Sequence, residues 1–105
     1  MEWKTEEEKR LIEAILALAS ADDAKRFLRD LMTGKEIDEF AKRFKAAEML
    51  FQKIPYTVIE KETGFSSTTV ARVAKWLKAE KGGYRRIIAR LNHHYNSYHI
   101  GKGLS

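Results

Sequence analysis

The sequence predicts an all-α fold of about six helices, and three observations carry that prediction. The 105 residues contain a single proline, and β-branched runs are short. Apolar residues recur at spacings of three and four, the period of an amphipathic helix rather than of a strand. Three threonines are each followed three residues later by glutamate: Thr5 with Glu8, Thr33 with Glu36 and Thr57 with Glu60. In such a pair the hydroxyl accepts from an orphan N–H while the carboxylate reaches back to the cap residue, so each marks a helix start.

The first helix is expected from about Glu6 to Leu18, with Leu11, Ile12, Ile15, Leu16 and Leu18 as a wide apolar stripe. A short second helix, from about Asp22 to Met32, offers Phe27, Leu28 and Leu31 for burial. The third, from about Gly34 to Gln52, is the longest periodic run and carries Ile37, Phe40, Ala41, Phe44, Ala47, Leu50 and Phe51. Pro55 is expected to stop it, because proline excludes the preceding residue from helical conformation. The fourth, Val58 to about Thr63, is amphipathic through Val58 and Ile59. Gly64 then supplies a turn. The fifth runs from about Ser67 to Ala79, Gly82-Gly83 breaks it, and the sixth spans Tyr84 to about Tyr95 with Ile87, Ile88 and Leu91 inward.

This organisation implies one all-helical domain over residues 1–95 and a disordered tail over 96–105, where NSYHIGKGLS has little apolar content. A hydrophobic fraction of 44% argues against wider disorder. The absence of cysteine excludes disulfides, thiolate catalysis and cysteine-bound zinc. No apolar run suits a signal peptide or a membrane span, so a cytoplasmic protein without a membrane partner is expected. There is no glycine-rich phosphate loop, no nucleophile with a histidine base and no carboxylate pair in an apolar setting, which speaks against an enzyme. His93, His94 and His99 lack the spacing of a metal site, since adjacent helical residues point about 100° apart.

Charge is distributed unevenly. Met1 to Phe40 holds 7 Lys+Arg against 11 Asp+Glu, and Ala41 to Ser105 holds 13 against 4. The basic excess therefore lies in the C-terminal part and points to an anionic partner.

That part contains ETGFSSTTVARVAKWL, residues 62–77. A short helix, a tight turn containing glycine and a second helix about a dozen residues long make a helix-turn-helix. Ile59, Phe65, Val70 and Val73 can close the small core that fixes the angle between the helices. With Val70, Val73 and Leu77 inward, the helical period places Ser67, Thr68, Ala71, Arg72 and Lys75 mostly outward. The hydroxyls then stand at the exposed N-terminal end of the second helix, the part that enters a major groove. Ser66 or Ser67 can cap the helix, and the remaining hydroxyls, Thr69 included, can contact phosphates or base edges. Arg72 can bond a guanine edge or a phosphate. Lys75, Lys78, Lys61 and Arg85 or Arg86 suit phosphate contacts.

The chain resembles the Trp repressor superfamily, and more closely its YerC/YecD-like branch, from about Asp22 to Tyr95. The resemblance rests on AKRFKAAEML, TVIEKETGFSSTTVARVAKWL and GGYRRIIARL. It implies an intertwined homodimer that acts as a transcriptional regulator, a repressor, on double-stranded DNA with a roughly palindromic operator. It also implies an effector pocket, because Arg43 and Arg72 match two arginines that flank a tryptophan co-repressor in the Trp repressor. Here, however, Val73 and Trp76 stand where small residues line that pocket, so the space is filled and no cofactor is expected. Arg43 can instead pair with Glu48 or Glu39. The alternative to a DNA-reading protein is a helix-turn-helix used for protein docking or RNA binding without sequence-specific DNA recognition.

Overall fold

The structure, a computed structural model, describes the backbone of residues 1–104 and the side chains of residues 1–93. It consists of six helices: α1 (Glu6–Leu16), α2 (Ala21–Leu31), α3 (Gly34–Phe51), α4 (Tyr56–Thr63), α5 (Ser67–Lys78) and α6 (Gly83–Leu104). No strand occurs among the described residues. The chain divides into two compact units, Met1–Ile37 and Asp38–Ser105.

In the first unit, α1 and α2 begin at side-chain caps. Thr5 Oγ1 accepts from Glu8 N at 3.1 Å while Thr5 N donates to Glu8 Oε1 at 3.0 Å, the reciprocal arrangement that the sequence predicts. Glu8 is held below the usual glutamate range, first by the Thr5 N–H and then by the Thr5 hydroxyl. α1 ends at Leu16 with Ala17 as its cap, so Leu18 lies outside the helix. α2 starts on Ser20, whose Oγ accepts from Asp23 N at 3.0 Å, while Asp23 Oδ2 accepts from Ala19 N at 3.1 Å. Thr33 and Glu36 form the second predicted box at the head of α3, and the Thr33 N–H, then its hydroxyl, lowers Glu36. Neither α1 nor α2 contains a buried residue.

The second unit contains the core. Ala46 and Ala47 of α3, Ile59 of α4, Val70, Val73 and Leu77 of α5, and Ile88 of α6 form its buried cluster. Phe44, Met49, Leu50, Ile54, Phe65 and Tyr84 close it from the sides. α5 packs against both α4 and α6. Burying a valine or isoleucine completely is worth about 1.5–3 kcal/mol, against about 1 kcal/mol for a typical cap, so this cluster holds the unit together. Tyr84 packs against it, with its ring centroid 6.3 Å from that of Phe44.

Several expectations are corrected. α3 stops at Phe51, ahead of Pro55. Lys53 takes φ 63°, Lys53 N donates to Leu50 O at 2.9 Å, and Ile54 N donates to Met49 O at 3.0 Å. These are the paired bonds of a left-handed helix terminus, with lysine where glycine is usual. Pro55 instead opens the next helix: at φ −59° and ψ 146° it is the N-cap of α4. The chain is therefore already helical at Thr57, and the third threonine–glutamate box does not form. Val58 is exposed while Ile59 is buried. Phe40 and Phe51 are also exposed, as are Ile87 and Leu91, which leaves Ile88 as the one fully buried apolar residue of α6 among those described. α6 continues to Leu104, past the expected end near Tyr95. The expected tail over 96–105 and the side chains of His94, Tyr95, Tyr98 and His99 lie outside the described side chains, and Ser105 lies outside the described residues altogether.

Two glycines are required for different reasons. Gly64, at φ 77°, caps α4, and a Cβ there would meet nothing within 4 Å. Gly82 is a matter of space, because a Cβ would lie 2.7 Å from Trp76 O and 3.1 Å from Ala79 O.

Candidate nucleic-acid interface

The candidate interface is built from α4, the turn at Gly64 and α5. Thr63, the one buried polar side chain among the described residues, fixes the turn from within: its Oγ1 donates to Ile59 O at 2.7 Å and accepts from Phe65 N at 3.2 Å. Gly64 N donates to Glu60 O at 2.8 Å, which closes α4 in the left-handed conformation. Thr63 was not among the expected functional residues. Its position directly before the turn glycine was the available signal.

The four hydroxyl residues divide into two pairs. Ser66 is the N-cap of α5, and its Oγ accepts from Thr69 N at 3.2 Å. The two hydroxyl oxygens, Ser66 Oγ and Thr69 Oγ1, lie 3.1 Å apart in a further hydrogen bond. These two are committed to starting the helix, which settles the choice between Ser66 and Ser67 as cap. Ser67 and Thr68 are exposed at the first turn, and among the described residues their hydroxyls bond to no protein group.

The rest of the outward face follows the helical period. Val70, Val73, Ala74 and Leu77 are buried, while Ala71, Arg72, Lys75 and Lys78 are exposed. Lys61 is exposed on α4. Among the described residues none of Lys61, Arg72, Lys75 and Lys78 pairs with a carboxylate, and α5 contains no acidic residue. The one ion pair between α3 and α4 uses Lys45 and Glu62, at 3.5 Å. The N-terminus of α5, with its unpaired N–H groups, thus adds positive potential to a face that is already cationic.

The expected effector residues are only partly brought together. Arg43 of α3 lies near two rings, with its guanidinium carbon 5.2 Å from the centre of Phe40 and 5.8 Å from that of Trp76. Its Nη2 is 3.6 Å from Glu39 Oε2, so the partner is Glu39 rather than Glu48. Val73 is buried in the core, and Arg72 stands on the exposed face of α5. Among the described residues no three potential metal ligands meet, and no helix is long and apolar enough to cross a membrane.

Comparison with known proteins agrees with this geometry. Residues 6–92 match the Trp repressor protein family. The chain is 35% identical over 82 residues to YerC of Bacillus subtilis (strain 168), a protein described as uncharacterized, covering 78% of this chain and 79% of YerC. A TrpR-like protein from Eubacterium eligens ATCC 27750 superposes with a TM-score of 0.79 at 37% identity, over 85% of this chain and 92% of that one. A structure from Staphylococcus aureus gives 0.75 at 33% identity, over 85% and 89%. An all-helical fold, a helix-turn-helix at its core and a match over residues 6–92 lead to one conclusion: the chain belongs to the Trp repressor family, in its YerC-like branch.

Proposed function

We propose that this protein is a homodimeric, sequence-specific DNA-binding transcriptional regulator that acts as a repressor. The observation that carries the reading is the outward face of α5, where Ser67, Thr68, Ala71, Arg72 and Lys75 are exposed with no acidic neighbour on the helix. Hydroxyls and an arginine at the front of such a helix fit base edges, and a methyl such as that of Ala71 fits the thymine methyl group. Lys75, Lys78 and Lys61 supply phosphate contacts, which set register and affinity but carry no sequence information. Ser66 and Thr69 contribute through the cap rather than through their own contacts.

The dimer is supported by what one chain leaves uncovered. α1 and α2, each 11 residues long, have no buried residue, and isolated helices of that length are marginal in water. Ile12, Ile15, Leu16, Leu28 and Leu31 are all exposed. A second copy would cover such surface and present two recognition helices about one DNA turn apart.

No cofactor is assigned. Trp76 already supplies an indole against Arg43, so DNA binding proceeds without free tryptophan. Calorimetric titration with L-tryptophan would produce no saturable heat, and a saturable isotherm would refute this part of the reading.

Selection of bound sequences from a random duplex library, with the mass in solution measured alongside, tests the whole. A two-fold symmetric motif recovered by a dimer is the expected result. No motif and no salt-sensitive duplex binding would favour a docking or RNA-binding module instead, because contacts to several phosphates make affinity fall steeply with salt.

A further inference from the structure

Thr68 differs from the three hydroxyl residues around it. Val70, Val73, Ala74 and Leu77 form the buried side of α5. At about 100° per residue, the direction opposite them falls on Thr68, Arg72 and Lys75, while Ser67 lies well to one side. Ser66 and Thr69 are committed to the cap. Thr68 is therefore the hydroxyl at the summit of the outward face. It is exposed, and among the described residues its oxygen bonds to no protein group.

Its surroundings suit a dianion. Arg72 stands four residues further on. At that spacing an acidic group on the N-terminal side of a cation pairs well along a helix. Among the described residues neither Arg72 nor Lys75 has a carboxylate partner. α1, α2 and α3 each carry a carboxylate in the first turn, and α5 carries none. A phosphate on Thr68 would supply the negative charge that this helix start lacks, and Arg72 would hold it.

We propose that Thr68 is a phosphorylation site whose phosphate turns DNA binding off while leaving the fold intact. The proposal rests on the DNA-binding reading and names its regulation. The donor is a nucleoside triphosphate, and the catalyst is a serine/threonine protein kinase. Thr68 Oγ1 attacks the γ-phosphorus and a new O–P bond forms. The bond from that phosphorus to the β,γ-bridging oxygen breaks, and the diphosphate leaves with the electron pair. The hydroxyl proton passes to a carboxylate of the kinase. The product carries about 1.5–2 negative charges at the summit of the face that meets DNA. It both repels the duplex and draws Arg72 into an ion pair.

Full-length protein carrying phosphothreonine at position 68, introduced by codon suppression, tests this beside the unmodified chain. Titration on the selected duplex and thermal unfolding are run on both. The phosphorylated protein should bind about a hundredfold more weakly and melt at a higher temperature. Arg72→Ala, placed in both forms, should shrink that rise in melting temperature, because the ion pair is removed. Mass spectrometry of the protein purified from its own cells, sampled through growth and stationary phase, should find a phosphopeptide containing Thr68. Equal DNA affinity in the two forms, a lower melting temperature after phosphorylation, or absence of that phosphopeptide each overturns the proposal and leaves the DNA-binding reading intact. An unmodified protein that binds no duplex removes that reading, and this regulation with it.

Discussion

The guanidinium carbon of Arg43 on α3 lies 5.8 Å from the ring centre of Trp76 on α5 and 5.2 Å from that of Phe40 on its own helix. This contact ties α5 to α3. A cation over an exposed ring is worth about 0.5–1 kcal/mol. A double-mutant cycle of Arg43→Ala and Trp76→Ala, measured by urea unfolding, should therefore return a coupling in that range. A coupling near zero would mean that the two side chains are neighbours only.

Arg72 should separate specific from nonspecific binding. Arg72→Ala is expected to weaken binding to the selected sequence by about 1–3 kcal/mol and random duplex much less, the pattern of a base contact. Lys78→Ala should weaken both alike and make the salt dependence about one counterion shallower. Titrations at several salt concentrations read both effects. Equal losses for Arg72→Ala on the two duplexes would reassign it to phosphate.

Lys53 offers a gain of stability. It holds φ 63° at the end of α3, where a side chain costs roughly 1–2 kcal/mol that glycine avoids. Glycine's larger unfolded-state entropy offsets part of this. Lys53→Gly should thus raise unfolding free energy by up to about 1 kcal/mol, seen as a higher urea midpoint. A lower midpoint would show that the lysine side chain contributes more than the backbone loses.

The two turn glycines should respond differently to alanine. At Gly64 only the backbone objects, and Gly64→Ala is expected to cost about 1 kcal/mol. At Gly82 the new methyl would press on Trp76 O at 2.7 Å, so the connection between α5 and α6 must shift, at a cost of about 1–3 kcal/mol. Thermal unfolding of the two variants compares these directly. A Gly82→Ala protein as stable as the wild type would contradict the close approach.

Acid should loosen the starts of α1 and α3. Glu8 and Glu36 are held below the ordinary glutamate value of 4.5, chiefly by the N–H groups of Thr5 and Thr33. Folding therefore favours their ionised forms. Their contribution is present above 4.5 and is lost as pH falls through the lower folded values. Replacing both with glutamine should flatten the pH dependence of the melting temperature in that window, and an unchanged slope would assign it to other carboxylates.

The helix-turn-helix was legible because three independent signals agreed on it: glycine at the turn, hydroxyls at the helix start and apolar spacing through Ile59, Val70 and Val73. Six helices and two of three capping boxes were legible for the same reason. The third box failed because a proline upstream started α4 sooner, and local spacing cannot see where the preceding chain becomes helical. Lys53 escaped notice because lysine carries no turn signal, and only the hydrogen bonds to Met49 and Leu50 reveal the left-handed turn. Ile87 and Leu91 were expected inward because periodicity records a face as apolar without saying what covers it. In one chain that face is open.

Within α5, the side chains that form the helix and those that face away from it are different sets. Ser66, Thr69, Val70, Val73 and Leu77 build it, while Ser67, Thr68, Ala71 and Arg72 are exposed and, among the described residues, make no side-chain hydrogen bond or ion pair. Mutational tolerance should therefore be split residue by residue along one short helix. Target preference could drift among relatives, or be redesigned in a combinatorial library at those four positions, without a compensating change elsewhere in the chain.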